Sequence, residues 1–338
     1  MKIALVRLSS LGDIILGMVC LQLIRRQMPG CRITWVADSR FADILDHQPD
    51  IQQLIRLNLK GLKRGVTRAG LLEEYRKLAL AGPFDAVIDL HGMIKSAITA
   101  RLLGGPVHGF DRRVIKEPLA GLFYRQTFDI PLEMPAAGRY AHLVMQSLGL
   151  PFELSDLARP EPFLFAQPDD FSISAPHFSD RQPNIIIVPG TSAANKNYPA
   201  EGFARLAEQL NANIMLCHGN QQEQETACRI AAMAANITVL PRLNLNQLKA
   251  AISRADLVIG GDSGPTHIAW GCAVPSVTLY GATPVCIVPT EINCAIKTAS
   301  NVNLRKPDTA DLSIRNIPEG EILRLAKQLL DRRGKENA

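Results

Sequence analysis

A single carboxylate lies at the point of this sequence where ligand chemistry is most expected. Asp13 closes a short polar turn, Ser9-Ser10-Leu11-Gly12-Asp13, which follows the apolar run of residues 2–8 and precedes a helical pattern over residues 14–28. A strand, a tight turn and a helix place this acid at the carboxyl end of a parallel sheet, where open α/β sheets bind their ligands. Near a helix N-terminus the carboxylate should stay ionised at neutral pH, so that it can accept hydrogen bonds or a proton.

The turn lacks the standard nucleotide-binding patterns. Neither G-x-G-x-x-G nor G-x-x-x-x-G-K-[ST] occurs anywhere in the chain, which removes the main support for a dehydrogenase or a P-loop enzyme. The plain alternative for Asp13 is that it only caps the helix, although Ser9 and Ser10 could do so equally well.

A loop in the second half of the chain has side chains suited to phosphate. Residues 189–199 connect a predicted strand to a predicted helix and contain the hydroxyls of Thr191 and Ser192 and the ammonium of Lys196. Lys196 could equally be an ordinary surface lysine. In a further loop, Glu223 could accept a hydrogen bond from a ribose hydroxyl.

A second strand-to-helix connection of this kind spans residues 260–267, Gly-Gly-Asp-Ser-Gly-Pro-Thr-His. Its glycines let the backbone approach a ligand closely. The N–H groups from Thr266 onward carry the positive end of a helix dipole, which favours a phosphate. The alternatives are that Asp262 only caps the helix and that His267 is a buried histidine with its hydrogen bonds satisfied.

These loops are positioned by alternating strand and helix patterns, which are typical of parallel sheets. The predicted strands of the first half are residues 2–8, 32–36, 54–57 and 84–90, and its helices are residues 14–28, 41–46, 71–80 and 94–103. The predicted strands of the second half are residues 184–188, 213–217, 256–260 and 276–280, and its helices are residues 201–210, 221–235, 245–254 and 319–332. The fold class is therefore α/β, with two doubly wound domains and a cleft between their sheet ends.

The change in composition after residue 150 sets the domain boundaries. Proline is frequent over residues 151–183 and periodicity disappears there, as in a linker. We predict a first domain over residues 1–165, a linker over 166–183 and a second domain over 184–318. Residues 319–338 form an amphipathic helix that we expect to pack back on the first domain.

The composition is that of a globular protein in a reducing compartment. Hydrophobic residues make up 47% of the 338 residues and charged residues 20%, which suits two ordinary cores. The seven cysteines are odd in number and contain no C-x-x-C pair, which argues against a disulfide framework and a zinc site. Arg7 and Asp13 interrupt the apolar N-terminal region, so we expect no signal peptide and a cytoplasmic location.

Positive charge is concentrated in the first half of the chain. Residues 1–150 carry 20 Lys and Arg against 13 Asp and Glu, whereas the whole chain has a net charge of +5. The two clusters consist of Arg56, Lys60, Lys63, Arg64 and Arg68, and of Arg112, Arg113 and Lys116. Such clusters often mark only a solvated surface, and the alternative is a site for a phosphate, a carboxylate or an anionic membrane face. Nucleic acid is not indicated, because aromatic residues are not interleaved with the cations.

Taken together, these motifs resemble those of glycosyltransferase family 9, the heptosyltransferases of lipopolysaccharide core assembly. The resemblance rests on residues 9–13, the Lys196 loop and residues 261–269, with further similarity over residues 89–97 and 116–124. The last of these segments is most similar to the members that add the first heptose to Kdo. The resemblance covers nearly the whole chain and implies a GT-B fold, in which two Rossmann-like domains face each other across a cleft.

The resemblance also implies a reaction and a set of site residues. The reaction would be an inverting transfer of heptose from ADP-L-glycero-β-D-manno-heptose to Kdo–lipid A, without a metal or another cofactor, and Asp13 would be the general base. The donor-binding residues would be Thr191, Ser192, Lys196, Glu223, Asp262, Ser263, Gly264, Thr266 and His267. The candidate acceptor-binding residues are Ser10, Gly12, Lys60, Lys63, Arg64, His91, Lys95, Arg112, Arg113 and Lys116.

Two residues depart from the pattern of the family. Lys116 stands where an arginine is expected, which removes bidentate contact with an acceptor anion. Tyr198 stands where tryptophan is common after the lysine. Because the implied acceptor is an anionic lipid of the inner leaflet, we expect peripheral contact with the cytoplasmic face of the inner membrane that weakens with salt.

Three alternatives remain open at this point. The chain could add the second heptose or transfer another sugar from a nucleotide. It could be a nucleotide-sugar epimerase or hydrolase with the same fold, which would convert the donor without an acceptor. It could also be a two-domain binding protein without catalysis, although this would explain the cleft and not the acid beside a phosphate site.

Overall fold

The computed structural model describes residues 1–59, 68–159, 161–300, 302–304 and 308–336. The chain divides into two compact units, residues 1–157 and residues 158–338. Each unit is built on one six-stranded sheet, and within each sheet the neighbouring strands are parallel.

The first unit has the strand order β3-β2-β1-β4-β5-β6. Its strands are β1 (Lys2–Val6), β2 (Arg32–Asp38), β3 (Gln53–Leu57), β4 (Ala86–Asp89), β5 (Val107–Phe110) and β6 (Gln126–Phe128). Its helices are α1 (Leu11–Gln27), α2 (Arg68–Ala81), α3 (Ile94–Leu102) and α4 (Ala136–Leu148). The strand order switches between β1 and β4, and open α/β sheets bind ligands beyond the carboxyl ends of the strands at such a point.

The sequence around β1 explains why the candidate base lies at that point. The strand is a continuous apolar run, as in parallel strands that are covered on both faces, and its residues Ile3 to Val6 are fully buried. Helix α1 is buried along its whole length from Ile14 to Ile24, which fits a helix that is apolar on every side. Its first turn is only partly buried, and Asp13 lies there at the carboxyl edge of the sheet.

The second unit repeats this arrangement with the strand order β12-β11-β10-β7-β8-β9. Its strands are β7 (Asn184–Val188), β8 (Asn213–Leu216), β9 (Ile237–Val239), β10 (Leu257–Gly261), β11 (Ser276–Tyr280) and β12 (Asn293–Lys297). Its helices are α5 (Ala200–Gln209), α6 (Gln221–Ala231), α7 (Leu245–Arg254), α8 (Gly264–Gly271) and α9 (Glu319–Glu336). Here the order switches between β7 and β10, whose carboxyl ends lead into the two predicted phosphate loops.

The predicted boundary between the domains is corrected by the structure. The first unit ends at Leu157, and the proline-rich segment that follows belongs to the second unit. Within it, Phe163 and Leu164 are buried, and the N–H groups of both donate to the carbonyl oxygen of Gly271. Proline prevents regular periodicity in this segment but does not prevent it from packing.

The C-terminal helix belongs to the second unit, whereas the sequence analysis expects it to pack back on the first domain. Ile322, Ala326 and Leu329 are buried in the hydrophobic core of the second unit. Arg333 near its end pairs with Asp256, with 3.2 Å between Nε and Oδ1. The amphipathic pattern predicted a packed face but could not specify which core would receive it.

Among the helices of the described ranges, none is long and apolar enough to cross a bilayer.

Candidate active site

The carboxylate of Asp13 accepts four hydrogen bonds at the first turn of α1. The backbone N–H and the hydroxyl of Ser10 donate to Oδ2 over 3.2 and 2.8 Å. Arg7 Nη2 lies 2.7 Å from the same oxygen, and the hydroxyl of Tyr140 donates to Oδ1 over 3.0 Å. The side chain of Asp13 is still 34% exposed. The acid is therefore fixed in orientation and remains open on one side.

The charge state of Asp13 follows from these partners. Burial alone would raise its pKa, but the positive charge of Arg7 and the hydrogen bonds from Ser10 outweigh that effect and hold the pKa at about 2. The expectation that Asp13 stays ionised at neutral pH is confirmed. The sequence analysis attributed the ionised state to the helix N-terminus, and the structure adds the ion pair with Arg7.

Arg7 and Tyr140 are functional candidates that the sequence analysis missed. Arg7 is 7% exposed, and its Nη1 donates to the carbonyl oxygen of Leu90 over 2.7 Å. Its guanidinium also lies over the ring of Tyr140, 5.0 Å from the centroid. The position of Arg7 directly after a buried strand could have indicated this role, because a buried cation needs a negatively charged or hydrogen-bonding partner nearby. Tyr140 comes from α4, and no local pattern connects it to Asp13.

A second loop at the same edge is organised by Asp89 at the end of β4. Its carboxylate is fully buried and accepts hydrogen bonds from the Tyr124 hydroxyl (2.7 Å) and the Ser96 hydroxyl (2.8 Å). It also accepts the backbone N–H of His91 over 2.8 Å. Burial raises the pKa of Asp89, opposed by these hydrogen bonds. The network fixes the turn that carries His91 beside the Asp13 loop.

His91 joins the two loops directly. Its Nδ1 accepts the backbone N–H of Leu8 over 3.3 Å, which assigns the ring proton to Nε2. Burial, with the positive charges of Arg7 and Lys95, lowers the pKa of His91 to about 3. The imidazole is therefore neutral at physiological pH, and it cannot contribute a positive charge to an anionic acceptor.

The remaining acceptor candidates differ in where the structure places them. Ser10 is the N-cap residue of α1, and Gly12 lies in the first turn of that helix, next to Asp13. Lys95 is exposed in the first turn of α3, and its charge acts on both Asp38 and His91. Three further candidates, Arg112, Arg113 and Lys116, are exposed on the segment that follows β5. The predicted residues Lys60, Lys63 and Arg64 lie outside the described residues.

In the second unit, four side chains from three segments meet beyond β10. Lys196 Nζ lies 2.5 Å from Asp262 Oδ2, and His267 Nε2 lies 3.2 Å from Oδ1. The thiol of Cys286 donates to Asp262 Oδ1 over 3.2 Å and lies 3.4 Å from His267 Nε2. Burial alone would raise the pKa of Asp262, but the hydrogen bond from His267 and the charge of Lys196 hold it well below its ordinary value. Cys286 was not identified from the sequence, where nothing distinguishes it from the other cysteines.

The two phosphate loops pack closely against each other. A side-chain carbon added at Gly261 would lie 2.4 Å from the carbonyl oxygen of Lys196, so glycine is required at this contact. Thr191 Oγ1 donates within its own loop to the carbonyl oxygen of Ala193 over 2.8 Å. The hydroxyl of Thr266 donates to the carbonyl oxygen of Gly261 over 2.9 Å. Close packing therefore brings Lys196 and the start of α8 to one place.

The other donor candidates lie at or beside these loops. Ser192 is exposed, Gly264 begins α8, and the hydroxyl of Ser263 lies 3.1 Å from that of Thr266. Glu223 lies in the first turn of α6, where Oε2 accepts the N–H of Gly219 over 2.7 Å. Glu223 therefore stabilises its own helix start in this structure, and a role toward ribose stays a prediction.

One set of side chains in the described residues could hold a metal ion. The ligand atoms of Asp262, His267 and Cys286 lie within 4.8 Å of one another, and carboxylate, imidazole and thiolate are all metal ligands. The ammonium of Lys196 already pairs with the same carboxylate. A bound cation would have to compete with this ammonium for Asp262.

Replacing Arg7 with methionine is expected to raise the pKa of Asp13, because Arg7 is the main cause that lowers it. The folded-state pKa of about 2 lies below the ordinary 3.8, so the ionised carboxylate contributes stability that is lost only as the pH falls from about 4 toward 2. In the variant this contribution to stability is smaller, and Asp13 of the folded protein becomes protonated at a higher pH. The measurements are the acid limb of the pH dependence of kcat/KM and the Asp13 carboxyl shift by NMR.

The matched control for this prediction is Arg40→Met. Arg40 also pairs with a carboxylate at the carboxyl edge of the first sheet, through two hydrogen bonds of 2.9 and 2.8 Å to Asp38. Arg40→Met should leave the acid limb of the pH dependence of kcat/KM unchanged. An acid limb in Arg7→Met that coincides with that of the parent protein would contradict the assigned role of Arg7.

Known proteins are similar to this chain over most of its length. The family model described as glycosyltransferase family 9 (heptosyltransferase) matches residues 75–314. The lipopolysaccharide heptosyltransferase 1 of Campylobacter coli is 35% identical, over 97% of this chain and 99% of that protein. The protein of the same name from Pseudomonas aeruginosa is 30% identical, over 84% of this chain and 79% of that protein.

Solved structures are similar over nearly the whole chain. The E. coli heptosyltransferase WaaC with ADP superposes with a TM-score of 0.78 at 24% identity, covering 97% of this chain and 100% of that one. The same enzyme with ADP-2-deoxy-2-fluoro heptose has a TM-score of 0.74 at 24% identity and covers all of both chains. A family 9 glycosyltransferase from Veillonella parvula has a TM-score of 0.81 at 23% identity, over 98% of this chain and 97% of that one.

Proposed function

Because this chain belongs to glycosyltransferase family 9, the heptosyltransferases, we propose that it transfers heptose from ADP-heptose to Kdo–lipid A. This is the first heptose addition in the synthesis of the lipopolysaccharide inner core. The observation that carries the proposal is the similarity to the Campylobacter coli protein, which extends over both units. The predicted GT-B fold, with two Rossmann-like doubly wound domains, is confirmed by the solved structures and by the two parallel sheets.

In this proposal the second unit binds the donor. The diphosphate of ADP-heptose is held by Lys196, by the hydroxyls of Thr191 and Ser192, and by the N–H groups at the start of α8. The Lys196 ammonium exchanges part of its contact with Asp262 for the phosphate oxygens. These groups oppose the negative charge that develops on the departing ADP, the task for which preorganised donors are most effective. Asp262 and His267 are then available to the sugar.

The first unit supplies the base. Asp13 accepts the proton of an acceptor hydroxyl as that oxygen bonds to the anomeric carbon and the bond from this carbon to the phosphate oxygen breaks. Attack on the face opposite the leaving group inverts the anomeric configuration. A carboxylate with a pKa of about 2 is a weak base toward a free hydroxyl. The proton therefore moves late, when bond formation has already made the hydroxyl acidic.

The acceptor side of the proposal rests on charge. The Kdo carboxylates and the lipid A phosphates are anionic, and the exposed cations Lys95, Arg112, Arg113 and Lys116 lie on the segments that follow β4 and β5. Lys116 acts as a single point charge where an arginine would form two parallel hydrogen bonds. A lipid acceptor also places the enzyme, in this proposal, at the cytoplasmic face of the inner membrane as a peripheral protein.

The test is mass spectrometry of the products formed by purified enzyme from ADP-heptose and Kdo–lipid A. One heptose added to the acceptor, with release of ADP, is expected. An acceptor that already carries one heptose should be a poor substrate, and preference for it would assign the second addition instead. Rapid conversion of ADP-heptose without any acceptor would indicate an epimerase or a hydrolase and contradict the proposal.

Transfer is expected to continue at an undiminished rate in excess EDTA. The chain contains no D-x-D pair to hold a divalent ion on the diphosphate, and Lys196 with the α8 N-terminus supplies positive charge there in its place. The rate of ADP release, measured with and without EDTA, checks this expectation. Complete loss of activity that Mg²⁺ restores would show that catalysis depends on a metal.

A further inference from the structure

Three side chains beyond β10 bring a carboxylate, an imidazole and a thiol to one point. His267 Nε2 lies 3.2 Å from Asp262 Oδ1 and 3.4 Å from Cys286 Sγ, and the same carboxylate oxygen lies 3.2 Å from the sulfur. The three atoms therefore form a nearly equilateral triangle. In the part of the chain that the structure describes, no other set of three histidine, cysteine or acidic side chains converges in this way. We call these three residues the Asp–His–Cys cluster.

The spacing of the three atoms is close to that of the ligands of a tetrahedral ion. Zinc binds oxygen and nitrogen at about 2.0–2.1 Å and sulfur at about 2.3 Å, so its tetrahedral ligands lie about 3.3–3.6 Å from one another. Shifts of a few tenths of an ångström would therefore open the Asp–His–Cys cluster to the size that zinc requires. Three protein ligands leave the fourth tetrahedral position to a water molecule.

The chemistry of the three groups determines which cation they suit. Thiolate and imidazole favour Zn²⁺ and similar transition metals, whereas Mg²⁺ prefers an octahedral shell of oxygen ligands. Cysteine binds a metal as the thiolate, so the Cys286 thiol loses its proton when the ion binds. The Asp–His–Cys cluster is therefore selective for Zn²⁺ over Mg²⁺.

A neighbouring tyrosine can stabilise the thiolate. The hydroxyl of Tyr280, at the end of β11, lies 3.4 Å from Cys286 Sγ. Tyr280 is fully buried, so its hydroxyl is fixed in place and can donate to a metal-bound sulfur. Hydrogen bonds of this kind to the ligand atoms are a regular part of metal sites and strengthen them.

Lys196 competes with such an ion. Its ammonium lies 2.5 Å from Asp262 Oδ2, and the side chains of Lys196 and Asp262 are 25% and 11% exposed. Two cations on one carboxylate repel each other, and water screens this repulsion poorly in a mostly buried site. The ion and the ammonium therefore exclude each other at Asp262, and removal of the ammonium should strengthen binding of the ion.

We propose that Asp262, His267 and Cys286 form an inhibitory site for Zn²⁺ in the second unit. The ion binds Asp262 Oδ1, His267 Nε2 and the thiolate of Cys286, and the proton of the thiol passes to the buffer. The inhibitory role rests on the proposed function, in which Asp262 and His267 are available to the sugar of the donor. Zn²⁺ therefore competes with ADP-heptose, whereas Mg²⁺ neither binds nor inhibits.

Cobalt provides a spectroscopic test of the site that needs no substrate. Co²⁺ is added to the metal-free full chain in a buffer with a reductant that is not a thiol. We expect a thiolate-to-cobalt charge-transfer band in the near ultraviolet and the strong visible bands of a tetrahedral ion, with one ion bound per chain. Zn²⁺ should abolish these bands, and competition with a chromophoric chelator gives its affinity. Excess Mg²⁺ should leave the bands unchanged.

Two variants and a matched control locate the ion. Cys286→Ser can still donate a hydrogen bond to Asp262, but it lacks the sulfur and should weaken Zn²⁺ binding by about 100-fold. Lys196→Ala removes the competing ammonium and should strengthen Zn²⁺ binding about tenfold. The control is Cys294→Ser, which replaces a half-buried thiol of the same unit outside the Asp–His–Cys cluster and should leave Zn²⁺ binding unchanged. Thermal melting without metal checks that each variant is folded.

Transfer assays test the inhibitory role. With ADP-heptose below its KM, saturating Zn²⁺ should lower the rate at least about tenfold, and saturating ADP-heptose should restore it. Cys286→Ser, compared with its own metal-free rate, should need about 100-fold more Zn²⁺ for the same inhibition. This comparison also excludes binding of Zn²⁺ to the donor in solution as the cause.

The results distinguish this inference from the proposed function. If the metal-free protein transfers no heptose, the proposed function fails and the inhibitory role fails with it, while the cobalt spectra still decide whether the site exists. Absence of the charge-transfer band, or a band that persists in Cys286→Ser, would overturn the site. Zn²⁺ that binds at Cys286 without slowing transfer would overturn its inhibitory role.

Discussion

Asp13→Ala is expected to lower kcat by about 10²–10⁴-fold, the range that is typical when a general base is removed. ADP binding should be unchanged, because Asp13 belongs to the first unit and the diphosphate loops to the second. The expected result follows from the four hydrogen bonds that fix the carboxylate and from the exposed third of its surface. Transfer rates with saturating donor and calorimetric titration with ADP measure the two effects.

Two further variants show whether the loss comes from the missing base. Asp13→Asn keeps the shape of the side chain but cannot accept the proton, so it should be as inactive as Asp13→Ala. Asp50→Ala removes another carboxylate that pairs with an arginine, Arg25, in the same unit. This carboxylate precedes β3, at the amino edge of the sheet, so its loss should leave kcat unchanged. Near-normal turnover by Asp13→Ala would refute the general-base assignment.

The position of Asp13 could be predicted from the sequence because local rules determine it. A buried strand must end in a polar turn before a helix can begin, and the carboxyl end of a parallel strand is where ligands bind. The same rules located Lys196 and Asp262 at the ends of β7 and β10. Their contact could not be derived, since it depends on the close approach of two loops at Gly261.

The partners of these residues depend on tertiary packing, which local patterns do not encode. Tyr140 reaches Asp13 from a helix 127 positions later, and Cys286 reaches Asp262 from an irregular segment after β11. The pKa of about 2 for Asp13 depends on Arg7, whose side chain the sequence analysis treated only as a break in an apolar run. The charge state of a site residue therefore had to be determined from the structure, even where the residue itself was predicted from the sequence.

Short edge strands were also missed. β6 and β9 have three residues each, and all of these residues are exposed or half-buried. Strands of this length carry too few residues for periodicity to be recognised. The central strands β1, β7 and β10 were predicted because both of their faces are buried, which makes them continuous apolar runs.

Lys196→Ala is expected to lower kcat/KM for ADP-heptose by about 10²–10³-fold, as when one preorganised donor to a developing charge is removed. The side chain of Lys196 is 25% exposed, and its ammonium is the cation that pairs with Asp262 next to the start of α8. Lys196→Arg retains the charge and should recover part of the loss. Arg333→Ala removes another cation paired with a carboxylate of this unit, Asp256, at the opposite end of β10, and should leave kcat/KM unchanged.

A double variant distinguishes a phosphate contact from a purely structural ion pair. Lys196→Ala leaves the buried carboxylate of Asp262 without its ammonium, which by itself costs stability. Adding Asp262→Asn removes that unpaired charge, so the thermal stability should return toward that of the parent protein. The rate should not return, because the departing diphosphate still has no cation. If transfer recovered together with stability, Lys196 would serve only to neutralise Asp262, and the leaving group would have to be stabilised by other residues.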